Sequence, residues 1–256
     1  MEPTELFPPP TIVHLAVVDS TQRAAFALAG HGAADRTVVV AASQTAGRGR
    51  RGRVWRDTPG ECLLASIVVR PRLATPDWPK LSLVTAVAVA EAVEAVAGVA
   101  PRLKWPNDVL VGGRKIAGIL LESRVGAPPV VVVGVGINLG QRALPPELDE
   151  TATSVWIASG RDVTPDAMLE ALLGRFDAWR ARLENDGFEP VRTRWLALAD
   201  TIGRRVVVDG RDGVAVDLDA DGALVVRGED GARHVVAGEL HDRGGALDDR
   251  GDGRGD

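Results

Sequence analysis

Gln44-Thr45-Ala46-Gly47-Arg48-Gly49-Arg50-Arg51-Gly52-Arg53-Val54-Trp55 sets four arginines within six positions, interleaved with glycines. Glycine lets the backbone fold closely around a ligand, and the clustered guanidinium groups repel one another until an anion arrives. The segment lacks the Gly-x-x-x-x-Gly-Lys-Ser/Thr pattern of a P-loop, and its glycine spacing does not open a Rossmann helix. On these residues alone two readings stand. One is a solvated basic loop or a single-strand nucleic-acid contact. The other is a polyphosphate-binding loop in which backbone amides and guanidinium groups surround the anion.

The loop lies between two strand signals, a β-branched run at 37–42 and an apolar run at 62–70. Before them, residues 11–18 read as a strand, and Ser20-Thr21 ahead of an alanine-rich stretch reads as a helix cap. After them, residues 81–97 are apolar except for Ser82, Thr85, Glu91 and Glu94, which predicts a buried helix closed by Gly98. Lys104-Trp105-Pro106-Asn107-Asp108 falls between short strands at 102–105 and 109–111, and Gly112-Gly113 supplies a tight hairpin into a strand at 116–122. A strand with a glycine-broken end covers 129–138, and helical spacing predicts helices at 165–185 and 188–199 that pack on the sheet. From 201 the texture changes: Asp-Gly pairs at 209, 212, 221 and 230 separate short apolar segments, as in the hairpins of a small β-barrel. The chain therefore divides into a leader (1–10, flexible), a large domain (11–200), a small β domain (201–240) and a disordered tail (241–256).

Composition narrows the chemistry. At 45% hydrophobic and 25% charged residues, the 256-residue chain is a folded protein with a sizeable core. One cysteine, Cys62, excludes an intramolecular disulfide framework and a cysteine-rich zinc site, and four scattered histidines leave little for a metal cluster, so no protein-held metal is expected. A net charge of −5 disfavours a globally basic nucleic-acid binder but allows one local cationic patch. Among 30 basic residues only Lys80, Lys104 and Lys115 are lysines, and two of them flank the Pro106-Asn107-Asp108 turn. No segment offers the roughly 20 uninterrupted apolar residues of a membrane span, and the leader is unlike a targeting peptide, so a cytoplasmic location is expected.

Five motifs occur in order: Ser20-Thr21-Gln22, then Gly47-Arg48-Gly49-Arg50 through Trp55, Lys104-Trp105-Pro106-Asn107-Asp108, Gly113-Arg114-Lys115-Ile116-Ala117-Gly118-Ile119-Leu120, and Gly134-Val135-Gly136-Ile137-Asn138. In these the chain resembles the biotin–protein ligases, also called biotin–[acetyl-CoA-carboxylase] ligases, and the likeness runs on to about residue 240. One departure is Gln22, where that family usually has asparagine. The resemblance implies an α/β (α+β) fold: a mixed β-sheet flanked by helices, like class II aminoacyl-tRNA synthetases and biotin synthetases, with a C-terminal SH3-like β-barrel. It implies adenylation of biotin by MgATP, release of pyrophosphate, and transfer of biotin to a lysine of a biotin carboxyl carrier protein or domain of a carboxylase.

The same resemblance distributes the roles. Ser20, Thr21, Gln22 and Gln44 would meet the ureido head and its surroundings, with Gly118 and Gly134 in the pocket wall. Gly47, Arg48, Gly49 and Arg50 would gather the carboxylate and phosphates, helped by Arg51 and Arg53. Lys115 would bridge the biotin carboxyl and the α-phosphate, so Lys115, Arg48 and Arg50 are the expected catalytic group. Trp55 would cover the adenine, Asn107 and Asn138 would sit on the nucleotide side, and Lys104 would assist with phosphate. Nineteen residues before Ser20 are too few for a helix-turn-helix, so specific DNA binding is not expected, nor is membrane association; a monomer or weak homodimer is. The rivals are a lipoate–protein ligase-like enzyme and a non-catalytic nucleic-acid-binding module using the arginine loop.

Overall fold

The structure is a computed structural model that describes residues 7–126, 128–208 and 210–236 and the backbone of 240–242. Strand β1 (Thr11–Val18), helix α1 (Thr21–Gly30) and strand β2 (Thr37–Gln44) form a βαβ unit, the parallel pair that needs a helical crossover. Strands β3 (Cys62–Val69), β4 (Pro101–Lys104), β5 (Asp108–Val111), β6 (Arg114–Arg124) and β7 (Val130–Asn138) complete a seven-stranded sheet in the order β1-β2-β3-β7-β6-β5-β4, antiparallel beyond β2. Gly112 and Gly113, at φ 58° and 77°, turn β5 into β6 as their sequence predicts.

Every residue of β3 is buried, because it is covered on both faces. On one face its side chains join α1 through Phe26, Ala29, Val39, Val68 and Val132. On the other they join α2 (Lys80–Ala97), which ends at a left-handed Gly98. Helices α4 (Pro165–Asp186) and α5 (Glu189–Leu198) follow a short helix, α3 (Val155–Ser159), that periodicity is too brief to reveal. The expectation that the two long helices pack on the sheet needs correction. α4 lies chiefly along α2 and reaches the sheet at β3, while α5 touches α2 and β4. The reason is that α2 is apolar around its whole circumference, with 13 of its 18 residues buried, so its outer side requires a second cover.

Strands β8 (Arg205–Val208), β9 (Arg211–Leu218), β10 (Leu224–Gly228), β11 (Gly231–Val235) and β12 (Leu240–Asp242) form a separate antiparallel sheet in the order β11-β10-β9-β8-β12. Asp221-Gly222 and Asp230-Gly231 stand at its turns; Asp209 lies outside the described residues. Asp212-Gly213 is instead inside β9, paired with β8. A Cβ on Gly213 would come within 2.5 Å of Val226, so that glycine serves close strand packing and not a turn. The small sheet is tied to the large one. The Trp105 amide donates to Thr201 Oγ1 (2.9 Å), the Asp200 amide donates to the Leu103 carbonyl (2.8 Å), and Lys80 pairs with Asp77 (2.7 Å) and Asp221 (3.6 Å).

Of the leader, residues 1–6 lie outside the described residues, and Phe7 lies under the guanidinium of Arg180, 4.7 Å from its ring centre. Of the tail, 243–256 lie outside them. Among the described residues no helix is long and apolar enough to cross a membrane.

Candidate active site

Side chains alternate across a strand, so the face of the large sheet that carries α1 also receives Leu64 and Ser66 of β3, Gly118 and Leu120 of β6, and Gly134 and Gly136 of β7. Register brings these into two rows: Ser66, Gly134 and Leu120 in one, Leu64, Gly136 and Gly118 in the next. Three of the six are glycines, and a cavity of about 240 Å³ lies over this floor, roofed by the arginine loop. The loop is a small hairpin. Arg48 pairs with Val54, the Gly49 amide donates to the Arg53 carbonyl (2.7 Å), and the Trp55 amide donates to the Gly47 carbonyl (3.1 Å). Gly47 closes this hairpin, since a Cβ there would collide with the Trp55 carbonyl; it does not line the cavity.

Trp55 lies on the glycine floor. A Cβ on Gly136 would come within 2.5 Å of its ring, and one on Gly118 within 3.0 Å. Lys115 sits 5.7 Å from the centre of the same ring. Gly136 belongs to a motif visible in the sequence, yet its contribution depends on a register that brings it beside Gly118.

One end of the cavity is a small polar network. The Gln44 side-chain carbonyl accepts from the Thr21 amide (2.8 Å) and hydroxyl (3.1 Å), and Ser66, fully buried, donates toward Thr21 Oγ1 (2.9 Å) or Gln22 Oε1 (3.1 Å). Gln22 Nε2 donates to the carbonyls of Leu120 (3.3 Å) and Val132 (3.1 Å). Its amide is thus spent on β3, β6 and β7, and Gly134 is small because a Cβ would stand 2.6 Å from Gln22 Oε1. Both residues line the cavity, and these bonds also brace its floor. Ser20 precedes α1, but its hydroxyl makes no capping bond; its Oγ is buried without a partner at the cavity edge. An orphaned buried hydroxyl is costly unless something binds it.

The other end is cationic. Arg48, Arg50, Arg51, Arg53, Lys104 and Lys115 all line the cavity. Arg50 Nη1 donates to Asn107 Oδ1 (3.0 Å), and Asn107 Nδ2 donates to the Ile119 carbonyl (3.0 Å), which fixes the turn. Burial, then the charge of Arg51, holds the Arg50 guanidinium below the usual arginine range, so an incoming anion would relieve both penalties. Lys115 Nζ lies 2.7 Å from Asp108 Oδ1. Arg48 makes a two-pronged pair with Glu122.

Asn138 departs from its expected place. It does not line the cavity; its Nδ2 donates to the Thr153 carbonyl (2.9 Å) and its Oδ1 faces Gln141 Nε2 (3.4 Å), so it ties the connection after β7 to the sheet. Ser66 and Glu122 were not among the residues the sequence singled out, and Asp108 and Gly136 stood in quoted motifs with no role given to them. Ser66 had a signal, as the one hydroxyl in an otherwise apolar strand. Among the described residues no group of three His, Cys, Asp or Glu side chains could hold a metal ion.

A cavity with hydroxyl and amide groups at one end and clustered cations at the other suits an amphipathic ligand that ends in negative charge. Comparison with known proteins agrees. Residues 14–138 match the Biotin/lipoate A/B protein ligase family and residues 201–240 the Biotin protein ligase C terminal domain. The chain is similar to the biotin–[acetyl-CoA-carboxylase] ligase of Paracoccus denitrificans, 38% identical over 88% of this chain and 98% of that one. It is 34% identical to the bifunctional ligase/repressor BirA of Bacillus spizizenii, over 90% of this chain and 73% of that one. Its fold superposes on the biotin protein ligase of Aquifex aeolicus solved with biotin and ATP, with a TM-score of 0.80, 29% identity, and coverage of 90% and 97% of the two chains. Two family matches in chain order, and a relative matched over nearly its whole length, place this chain in the biotin protein ligase family.

Proposed function

We propose that this protein joins biotin to ATP and then to a protein lysine. In the first step a biotin carboxylate oxygen attacks the α-phosphorus, the bond to the bridging oxygen breaks, and pyrophosphate leaves with that electron pair. In the second a lysine amine attacks the acyl carbon, AMP departs, and the amine gives up a proton as the amide forms. The observation that carries this reading is the cavity itself, which runs from the orphaned Ser20 hydroxyl over a glycine floor to Lys115 and the arginines. The Aquifex structure solved with biotin and ATP supports both substrates.

In this assignment Ser20, Thr21, Gln22 and Gln44 receive the ureido head, Gly134 makes room for the Gln22 amide, and Gly118 makes room for Trp55 and Lys115. Arg48 and Arg50 gather the carboxylate and phosphates, with Arg51, Arg53 and Lys104 on the outer phosphates and Trp55 against the adenine. Lys115 exchanges Asp108 for the oxygens between carboxylate and α-phosphorus, where charge develops. Two anions meet in one site, and fixed cations spare them the repulsion and reorganisation that water would impose. Mg²⁺ enters as part of the nucleotide. Among the described residues Asp108 is the one carboxylate lining the cavity, and it already holds Lys115, which suits a metal carried by phosphate oxygens better than one held by the protein. The carrier proposed is a biotin carboxyl carrier domain, by analogy with the relatives whose names specify acetyl-CoA carboxylase.

ATP–pyrophosphate exchange is the test. Exchange that depends on biotin is the expected result; exchange that depends on lipoate instead, or none with either acid, would overturn the assignment.

A further inference from the structure

Arg48 is assigned above to the substrate anions, yet its guanidinium is already engaged. Nη1 and Nη2 each lie 2.8 Å from one oxygen of the Glu122 carboxylate, the two-pronged geometry that a guanidinium offers to a bound carboxylate ligand. Glu122 stands on β6 beyond Gly118, the last residue of that strand paired with β5, and two positions past the cavity residue Leu120. The pair is not sealed in: the side chains are 36% and 31% exposed, so a dissolved anion can reach it. Arg50, beside it in the loop, leans on a neutral amide instead.

We propose that Glu122 is a built-in competitor for the anion site of this cavity, its carboxylate occupying Arg48 in place of the substrate's until a ligand of like charge displaces it; this rests on the function proposed above. A carboxylate ligand can exchange for Glu122 and leave Arg48 paired throughout. A neutral ligand of the same shape has nothing to trade, so Glu122 stays where it is. The same pair fastens the arginine hairpin to β6, and an anion that reaches Arg48 has to displace a carboxylate already there. The cost of this arrangement is affinity: every biotin carboxylate that reaches Arg48 must first separate it from Glu122.

The test compares biotin with its neutral methyl ester by calorimetric titration of the full-length protein and of Glu122→Gln. Without the competing carboxylate, biotin should bind more tightly by about 1.5- to 5-fold, the worth of a partly exposed ion pair, with ester affinity unchanged. Glu122→Ser, a smaller neutral replacement, should move both affinities in the same way and guards against a folding defect peculiar to one variant. Equal changes for both ligands, no change, or weaker biotin binding would overturn the inference, the last by showing that Glu122 orients Arg48 for its ligand. A parent protein that binds neither biotin nor its ester would refute the proposed function and this inference together, a result distinct from a parent that binds biotin with an unaltered preference.

Discussion

Replacing Lys115 by alanine removes a cation from the cavity lining, with its ammonium 5.7 Å from the centre of the Trp55 ring and 3.1 Å from where a Gly118 side chain would begin. Two effects follow, and their sizes separate them. Folding loses the pair with Asp108, whose side chains are 33% and 25% exposed, so solvent screening limits the loss to about 0.5–1 kcal/mol. Adenylation loses a preorganised donor aimed at developing charge, typically ~3–4 kcal/mol or about 10²–10³ in rate. The Asp108 carboxylate, left unpaired beside the incoming phosphates, adds repulsion of its own. That part is removable: Lys115→Ala with Asp108→Asn should recover some of the ATP affinity and little of the rate. Lys115→Arg should rescue only partly, because a planar fork presents its charge differently from a compact ammonium. The assay is single-turnover formation of biotinyl-adenylate at saturating biotin and ATP. A Lys115→Ala rate within about twofold of the parent would refute the catalytic role and leave Lys115 a partner of Asp108 alone.

Ser66→Ala strips a buried donor from Thr21 and Gln22, so urea unfolding should show a loss of about 1–3 kcal/mol together with weaker biotin binding; unchanged stability and affinity would mean that the network is slack. Gly136→Ala forces Trp55 off the floor, and a change in tryptophan emission with a loss of ATP affinity should report it; emission and affinity both equal to the parent's would show that the ring never rests there. Burial pushes the Cys62 thiol from 9.0 up to about 11, so at pH 8 about a thousandth is thiolate and the folded protein should react with a disulfide reagent far more slowly than the unfolded chain. The folded state holds this proton more tightly, so the associated stability is fully present below pH 9 and is lost as pH rises from about 9 through about 11. Rapid stoichiometric labelling of native protein at pH 8 would contradict both statements.

Local chemistry made much of this protein legible as a string. Apolar runs bounded by glycine and proline marked the strands, because a buried strand or helix must be apolar over a window that a reader can scan. Gly98 and Gly112-Gly113 marked a helix end and a hairpin, since only glycine takes positive φ there without strain. The order of five short motifs was enough to identify the family, and the crowded arginines announced an anion before any fold was known.

Other features were decided by residues far apart in the chain. Ser66, Gly134 and Leu120 form one row only through the register of three strands, so neither the floor nor the importance of Gly136 can be read from a window. Gln22 reaches carbonyls 98 and 110 residues away, so its part in bracing the cavity floor is invisible along the sequence. Asn138, inside a recognisable motif, is bonded to Thr153 and Gln141 and does not line the cavity, which the motif alone does not tell. The pairing of Arg48 with Glu122, 74 residues on, is equally invisible along the sequence. Propensity and motif are properties of neighbours in sequence, whereas the partner of a charged or amide side chain is chosen by which groups the folded backbone brings within about 3 Å and shields from competing water.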